Sequence, residues 1–310
     1  MTSSAIAVSG LRKAYGDKVV LDGIGFDVPA GTVFSLLGPN GAGKTTTVNV
    51  LTTLMKADGG TARVAGHDLD TEAKAVRAAI GVTGQFAAVD DLLTGRENLQ
   101  LMVDLQRGAA GPRVVAELLE RFDLVDSADQ AASTYSGGMR RKLDLAMTLV
   151  GRPRVIFLDE PTTGLDPRSR RALWAIIRDL VADGVTIFLT TQYLEEADRL
   201  ADRIAVLDQG RVVAQGTPDE LKRRIPGTHV RLRFTTADEL GAAARLFADA
   251  TRDDEALTLR VPSDGGTKSL RTLLDRLDGQ SLAAAEFSVH TPDLDDVFLA
   301  LTGHTSEAVK

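Results

Sequence analysis

The sequence predicts an α/β protein with a parallel sheet, followed by a small α+β domain. Two continuous apolar runs, residues 155–158 and 185–189, have the length of strands that are buried on both faces. A segment with helical character, about residues 168–181, lies between them, and strands that alternate with helices are typical of a parallel sheet. Beyond a break at Pro226-Gly227 the pattern changes to short strands and short helices.

The other elements follow from local signals in chain order. Four short apolar runs, separated by turn pairs such as Tyr15-Gly16, predict a β-rich entry at residues 6–8, 19–21, 26–28 and 33–37. Helices are predicted at residues 44–55 and through most of residues 90–150, where Thr94 and Glu97 have capping-box spacing. After a hairpin, strands and helices alternate at residues 229–235, 238–248, 256–261, 268–278 and 284–290.

The composition excludes several classes of protein. The chain of 310 residues is 44% hydrophobic and 25% charged, an ordinary balance for a soluble globular protein. Its formal net charge of −7 speaks against a nucleic-acid partner, since such proteins usually carry a basic surface. The absence of cysteine excludes disulfides and cysteine nucleophiles. No run approaches about 18 apolar residues, so we expect no membrane span, and the N-terminus lacks the pattern of a secretory signal.

Residues 38–45, Gly-Pro-Asn-Gly-Ala-Gly-Lys-Thr, fit the phosphate-binding pattern G-x-x-x-x-G-K-[ST]. Glycines let successive backbone N–H groups point at phosphate oxygens, and the helix that follows adds its positive N-terminal end. Lys44 would then reach the β- and γ-phosphates, and the Thr45 hydroxyl would ligate Mg²⁺. The predicted strand before the loop and helix after it supply the context that this pattern requires.

The apolar strand at residues 155–158 ends in two carboxylates, Asp159 and Glu160. Successive side chains of a strand point to opposite faces, so the two can serve different tasks. Asp159 suits the Mg²⁺ shell, and Glu160 suits orienting and deprotonating an attacking water. Alone, such a strand end indicates little more than solvated carboxylates. Together with the phosphate loop, it predicts nucleotide hydrolysis.

Between these motifs, Ser136-Gly137-Gly138 precedes a predicted helix. Small residues with exposed N–H groups at a helix N-terminus can bind an anion. A Ser N-cap beside glycines is common, so this segment carries weight only through its order and spacing. It follows the phosphate loop by about ninety residues and precedes the Asp-Glu strand by about twenty.

In this order, the three motifs resemble the ATP-binding cassette (ABC) ATPases of transporters, over residues 4 to about 222. The resemblance implies a P-loop NTPase fold with a RecA-like core, a β-rich subdomain and a helical subdomain at about residues 90–150. It implies a cassette over residues 1–222 and a small C-terminal α+β domain over residues 223–310. Residues 38–45 resemble Walker A and residues 155–160 Walker B. Residues 136–139 resemble the signature motif, normally Leu-Ser-Gly-Gly-Gln, with Tyr135 and Met139 at the flanks.

The resemblance assigns roles to further residues. Tyr15 matches the aromatic that stacks on adenine, although a Tyr packed in a β-turn is the structural alternative. Gln85 matches the Q-loop glutamine, which senses Mg²⁺ and contacts the membrane partner, and Asp166 matches the D-loop. The resulting site comprises an ATP-binding set, a Mg²⁺ set (Thr45, Gln85, Asp159), a catalytic pair (Glu160, Gln192) and Ser136, Gly137 and Gly138 acting in trans. The ATP-binding set is Tyr15, Gly38, Pro39, Asn40, Gly41, Ala42, Gly43, Lys44, Thr45, Thr46 and Gln85.

The main departure from the family pattern is Gln192, at the position of a switch residue that is usually His. A Gln amide can still donate a hydrogen bond to the γ-phosphate, but it does not titrate near neutral pH. We therefore expect retained but altered hydrolysis. Residues 190–198, Thr-Thr-Gln-Tyr-Leu-Glu-Glu-Ala-Asp, are similar to the daunorubicin/doxorubicin-resistance (DrrA-type) branch of bacterial drug exporters. The tail at residues 292–299 is similar to a motif of the same branch, or else forms an ordinary amphipathic helix.

These resemblances imply a subunit that binds and hydrolyses ATP with Mg²⁺ and powers drug efflux. The expected assembly is a homodimer bound to a separate integral-membrane permease, at the cytoplasmic face of the membrane and without nucleic acid. One alternative is an ABC ATPase with no transport role. Such proteins usually need long coiled-coil insertions or two cassettes, and the sequence has neither. The second alternative function is a regulatory nucleotide-binding module that does not hydrolyse ATP. The sequence does not name the cargo.

Overall fold

The structure is a computed structural model, which describes residues 4–85, 87–106, 112–224, 228–290 and 292–302. The chain divides into two compact units, residues 1–218 and 219–310. The domain boundary expected after residue 222 stays a prediction. In the described residues, no helix is both long enough and apolar enough to cross a membrane.

The first unit alternates strands and helices along the chain. Its elements are β1 Ser4–Tyr15, β2 Lys18–Pro29, β3 Val33–Leu37, α1 Lys44–Leu51, β4 Gly59–Val64, β5 His67–Asp68, α2 Ala73–Ala79, β6 Ile80–Thr83, α3 Gly95–Leu105, α4 Pro112–Arg121, α5 Gly137–Leu149, β7 Val155–Asp159, α6 Pro167–Ala182, β8 Thr186–Thr191, α7 Leu194–Leu200, β9 Arg203–Asp208 and β10 Arg211–Gly216. Helix α8, Pro218–Lys222, begins at the last residue of this unit.

A six-stranded sheet forms the centre of the first unit, in the order β10-β9-β3-β8-β7-β6. Strands β9, β3, β8, β7 and β6 run parallel, and β10 pairs antiparallel with β9. The predicted α/β class with a parallel sheet is therefore confirmed. Because β3, β8 and β7 are adjacent and parallel, the segments after their carboxyl ends lie side by side at one edge of the sheet.

Both faces of this sheet are buried. Along β7, Val155 and Phe157 pack into one apolar cluster with side chains of α1, and Ile156 and Leu158 pack into another with side chains of α6. Strand side chains alternate between faces, so a strand that is covered on both sides is apolar throughout. This explains the unbroken apolar run in the sequence.

The β-rich entry is a separate antiparallel sheet in the order β2-β1-β4-β5. The short strands expected at residues 6–8, 19–21 and 26–28 are parts of two long strands, β1 and β2, so that expectation was wrong. Gly23 has a φ of 73° and lies at a register shift, which lets β2 continue through a bulge instead of ending. Helix α1 ends at Leu51, before the expected residue 55, and Thr53 takes a left-handed φ of 63°.

Helices dominate the middle of the first unit, as predicted. The stretch holds α3, α4 and α5 and two short 3-10 helices, Val125–Ser127 and Ala132–Thr134. The Thr94–Glu97 capping box is present: the Thr94 hydroxyl accepts from the N–H of Glu97, whose carboxylate accepts from the N–H of Thr94. Buried side chains join the helices into one core, which includes Leu99 and Phe122.

The second unit contains β11 His229–Arg233, β12 Thr251–Asp253, β13 Thr258–Pro262 and β14 Glu286–His290, which form an antiparallel sheet in the order β12-β13-β11-β14. Leu240 and Leu273, on two helices, pack against sheet residues that include Val230 and Leu232. The α+β pattern is confirmed, whereas strand β12 was not predicted, because its residues Thr-Arg-Asp give no apolar signal. The helices that the structure describes between and after these strands are α9 Ala237–Leu246, α10 Thr267–Asp278 and α11 Leu294–Thr302.

Candidate active site

The loop between β3 and α1 has the backbone of a tight anion-binding turn. Gly41 and Gly43 take φ values of 80° and 109°, a region that other L-residues rarely adopt. A Cβ on Gly43 would lie 2.7 Å from Leu21 Cδ2, and one on Gly38 would lie 2.3 Å from the Leu207 carbonyl oxygen. Packing and backbone conformation therefore require these glycines where the phosphate-loop pattern predicts them.

The first turn of α1 carries no acidic side chain, and its N-cap, Gly43, makes no side-chain capping bond. The N-terminal N–H groups of a helix lack intrahelical partners and carry partial positive charge. This end of α1 therefore suits an anion. Around it, Asn40, Gly41 and Thr45 are exposed, Pro39 and Thr46 are half-buried, and Ala42 is buried.

Lys44 joins the loop to the end of β7. Its ammonium donates to the carbonyl oxygens of Gly38 at 2.8 Å and Pro39 at 3.2 Å. It also lies 3.1 Å from the Glu160 carboxylate, and the two side chains are 4% and 10% exposed. The structure thus brings the predicted phosphate-binding lysine and the predicted catalytic glutamate into one largely buried ion pair.

The carboxylates of Asp159 and Glu160 have different partners: Glu160 pairs with Lys44, and Asp159 accepts from Thr190. The Thr190 hydroxyl donates to Asp159 Oδ1 at 2.5 Å. The N–H of Glu160 donates to the Thr190 carbonyl oxygen at 3.1 Å, while Glu160 takes a left-handed φ of 48°. Thr190 was not predicted. It lies opposite Asp159 in the β7–β8 register, which cannot be read from the sequence.

The remaining predicted ligands lie at three other strand ends. Gln192 is half-buried directly after β8, and Gln85 is exposed two residues after β6. Tyr15 ends β1, is 48% exposed, and places its hydroxyl 3.0 Å from Met55 Sδ. Tyr15 therefore sits at a hairpin turn, as its structural alternative requires, and its stacking on a base stays a prediction.

The signature-like segment forms the start of α5. Ser136 is the N-cap, and its hydroxyl accepts from the N–H of Met139 at 3.2 Å. Tyr135 is buried and donates its hydroxyl to the Ser127 carbonyl oxygen at 2.6 Å, so the residue that replaces the usual Leu has a structural role. Burial raises the pKa of the Tyr135 hydroxyl, which keeps this donor protonated.

The two signature glycines meet different surroundings. A Cβ on Gly138 would lie 2.5 Å from the Ser169 hydroxyl oxygen, whereas one on Gly137 would lie 3.7 Å from Leu165, an ordinary contact. Asp166 is the N-cap of α6 and accepts from the Ser169 hydroxyl and from backbone N–H groups, which lowers the pKa of its carboxyl. The start of α6, with the predicted D-loop residue Asp166 as its N-cap, and the start of α5 therefore pack closely together.

Three buried charged residues near the site were not predicted from the sequence. Glu196 on α7 is fully buried; burial raises the pKa of its carboxyl, while the Trp174 indole N–H, which donates to it at 3.0 Å, partly opposes the shift. On α5, burial raises the pKa of Asp144 and lowers that of Arg141, and the charge of each opposes the shift of the other. Glu196 lies within residues 190–198 but was given no role there, and Arg141 and Asp144 lie outside the quoted motifs, because burial of a charged helix residue cannot be read from a local pattern.

Comparisons with known proteins agree with this geometry. The ABC transporter family model matches residues 21–163. A solved dimeric ATP-binding cassette, in a post-hydrolysis state with ADP and Pi, superposes with a TM-score of 0.62 at 25% identity, covering 68% of this chain and 98% of that chain. The fold and the site define an ATPase of the ABC transporter class.

The relatives narrow this class further. The daunorubicin resistance ATP-binding protein DrrA3 of Streptomyces coeruleorubidus is 50% identical over 98% of this chain and 97% of its own length. The daunorubicin/doxorubicin resistance ATP-binding protein DrrA of Streptomyces peucetius is 49% identical over 98% and 94%. Residues 216–302 match the model of the DrrA1-3-like C-terminal domain. The chain belongs to the DrrA-type family of ABC transporter ATP-binding proteins, which confirms the resemblance.

Proposed function

We propose that this protein powers the export of antibiotics or other lipophilic drugs through a separate membrane permease, from the cytoplasmic face of the membrane. The Lys44–Glu160 pair at the carboxyl edge of the central sheet is the observation that carries the ATPase half of this proposal. The cargo half is supported by relatives that are named for daunorubicin and doxorubicin resistance.

In this proposal, residues 38–46 hold the phosphates of ATP, and Thr45, Gln85 and Asp159 hold Mg²⁺. Hydroxyl, amide and carboxylate oxygens are the ligands that Mg²⁺ prefers, so this donor set fits the ion. The glycine-lined loop and the acid-free first turn of α1 fit an anion. Mg²⁺, when bound, would neutralise charge on the β- and γ-phosphates.

The contacts of Lys44 suggest how its neighbours act. Its ammonium binds two loop carbonyls and Glu160, so a phosphate oxygen must compete with these partners for it. As Lys44 turns to phosphate, the Glu160 carboxylate becomes available to orient a water and accept its proton. Gln192 donates a neutral hydrogen bond toward the γ-phosphate, and Tyr15 stacks on the adenine.

The active unit is a homodimer in which Ser136, Gly137 and Gly138 of one subunit meet ATP held by the other. Such a contact is two-fold symmetric, so one surface builds two identical sites. ATP that bridges both subunits favours the closed dimer by mass action, and hydrolysis reopens it. Gln85 and the helices of residues 90–150 transmit the closing and opening of the dimer to the permease.

Glu160→Gln tests the ATPase half. The amide keeps the size of the side chain but cannot accept the proton, so we expect ATP to be bound and not hydrolysed. Size-exclusion chromatography with ATP and Mg²⁺ should show a stable dimer, while the matched Lys44→Ala, Glu160→Gln double variant stays monomeric because it holds the phosphates poorly. A Glu160→Gln chain that remains monomeric at saturating ATP would overturn the dimer mechanism.

The cargo half needs the permease. Co-purified complex in proteoliposomes should hydrolyse ATP faster when daunorubicin is added, since a transported molecule favours the conformation that hydrolyses. Intact basal hydrolysis that no drug stimulates, with no membrane subunit retained during purification, would instead favour an ABC ATPase without a transport role.

A further inference from the structure

Arg141 and Asp144 form a buried ion pair on α5. Their side chains are 8% and 4% exposed, and Arg141 Nη1 lies 3.3 Å from Asp144 Oδ2. A buried pair loses its hydration, so it persists only where further hydrogen bonds satisfy both groups. The side chains of this pair make their further hydrogen bonds to backbone groups within three residues of Gln85 or Glu160.

The Arg141 guanidinium spans two segments of the site. Nη1 donates to the Gly84 carbonyl oxygen at 2.7 Å, directly before Gln85. Nε donates to the Pro161 carbonyl oxygen at 3.0 Å and Nη2 to that of Asp159 at 3.3 Å, on either side of Glu160. A planar guanidinium with a fixed fork of donors can make these bonds at once, and a lysine ammonium cannot reproduce their directions.

Asp144 holds the far side of the Gln85 segment. Its Oδ1 accepts from the N–H of Ala88 at 3.0 Å, and its Oδ2 accepts from Arg141. The pair therefore holds the backbone before Gln85 and after it. The same helix begins with Ser136 as its N-cap, five residues before Arg141, which is about 7.5 Å along the axis.

We propose that Arg141 and Asp144 are positioning residues that tie Gln85, Glu160 and the start of α5 into one unit, so that a displacement of the Gln85 segment changes the placement of Glu160. This inference deepens the proposed function and rests on it. The bonds of the pair go to backbone beside Gln85 and Glu160. Lys44 also pairs with Glu160, but its two hydrogen bonds go to the Gly38 and Pro39 carbonyl oxygens, so the phosphate loop keeps its own contacts when Arg141 is replaced. Loss of the pair should therefore reduce turnover and leave nucleotide affinity in place.

Arg141→Lys is the main variant, because it keeps the charge and removes the fork. Steady-state ATPase should show kcat lower on the order of tenfold to a hundredfold, as expected when a catalytic group is misplaced. The Kd for trinitrophenyl-ATP, measured without Mg²⁺ so that the proposed Gln85 contact does not enter, should stay within about twofold of wild type, since the phosphate loop is intact. Lys142→Gln is the matched control, because the Lys142 ammonium pairs at 3.4 Å with the fully exposed carboxylate of Asp123.

A second variant separates positioning from folding. Replacing both partners of a buried ion pair by apolar side chains of similar size is often neutral for stability. Arg141→Met, Asp144→Leu should therefore have a higher Tm than Arg141→Met alone, which leaves the Asp144 charge unpaired, although backbone groups of Gly84, Ala88, Asp159 and Pro161 lose their partners in both. The double variant should still show low kcat with unchanged trinitrophenyl-ATP affinity. If the pair served only stability, a variant whose Tm is restored would also have its kcat restored towards the wild-type value.

Wild-type kcat in either Arg141→Lys or the folded double variant would overturn the inference, as would a loss of kcat that matches a loss of nucleotide affinity. The proposed function fails separately. A folded wild-type chain that does not hydrolyse ATP, or whose Glu160→Gln variant does not dimerise with ATP, would refute that function whatever the Arg141 variants show.

Discussion

The carboxyl edge of the central sheet and the start of α5 are both anion-binding regions by sequence, but they are built differently. At the sheet edge, functional side chains contact each other within one chain: Lys44 pairs with Glu160, and Thr190 donates to Asp159. At the start of α5, the Ser136 hydroxyl caps its own helix, and Gly137 is exposed. The side chains at the sheet edge therefore bind one another, whereas the start of α5 is open to contact with another molecule.

This difference predicts whether a substitution disturbs the chain itself or only its contact with another molecule. A change at the sheet edge removes a partner from a connected set of buried groups. A change at Gly137 adds atoms to a surface that has room for them in the chain itself, where a Cβ would make only an ordinary 3.7 Å contact. Its effect should therefore appear only when another molecule approaches that surface.

Lys44→Ala should have the largest effect. It removes the phosphate-binding ammonium and leaves the Glu160 carboxylate without its cation, so we expect ATPase activity to fall by at least about a hundredfold. Trinitrophenyl-ATP binding should weaken in parallel. Lys142→Ala removes the same side chain from a half-buried position of α5, where its ammonium pairs with Asp123 outside the predicted site, and should retain wild-type activity. Near-normal turnover in Lys44→Ala would refute the role of the sheet edge.

Gly137→Asp should have the next largest effect on activity, with a Tm close to wild type. The added carboxylate would meet the γ-phosphate of ATP held by a second chain, and we expect ATPase to fall on the order of tenfold or more through like-charge repulsion. Ser133→Asp adds the same charge at an exposed position shortly before the cap and is the matched control. A loss of Tm as large as the loss of activity would mean that Gly137 serves folding.

A mixture of two inactive variants tests whether one site is built from the sheet edge of one chain and the start of α5 of another. Lys44→Ala and Gly137→Asp chains, combined in equal amounts, would form heterodimers with one intact site and one doubly damaged site. With random pairing and independent sites, about a quarter of wild-type ATPase activity should return. If the sheet edge alone formed the whole site, the mixture would show only the averaged activity of the two variants.

Gln192→Ala should have a smaller effect. It deletes one neutral hydrogen bond to phosphate, which corresponds to roughly a twofold to tenfold loss in kcat. Gln192→His should hydrolyse ATP with a new inflection near pH 6.5, because imidazole titrates there and an amide does not. An unchanged rate in Gln192→Ala, or identical pH profiles for Gln and His, would remove this residue from the mechanism.

Glu196→Gln should change the pH dependence of stability and little else. Burial raises the pKa of Glu196 in the fold, so the native state binds more protons than the unfolded chain between the two pKa values. Wild-type stability therefore falls as pH rises from about 4.3, the unfolded value, towards the folded pKa, with a slope of at most about 1.4 kcal/mol per pH unit. Urea unfolding should show that the variant lacks this decline. A stability difference that does not depend on pH would contradict it.

The sequence predicted the site where patterns are local and missed it where contacts depend on register. Residues 38–45 could be recognised because the glycines and the start of the helix follow one another within eight consecutive residues. Thr190 could not, because its bond to Asp159 depends on how β7 and β8 align. Arg141 and Asp144 were assigned no role, since nothing in a helical pattern tells which side of α5 meets the Gln85 segment. The long strands β1 and β2 were missed because glycine bulges resemble turns.

The left-handed backbone of Glu160 has a consequence for the evolution of this chain. Glycine and asparagine adopt a φ near 48° at little cost, whereas a glutamate there carries a strain on the order of 1 kcal/mol or more. Glycine or asparagine, which the backbone prefers at this position, cannot accept the proton of a water, and glutamate, the proposed base, weakens the fold. Selection for stability alone would therefore drive this position towards an inactive enzyme, and a stabilised but silent variant is the expected product of relaxed selection on transport.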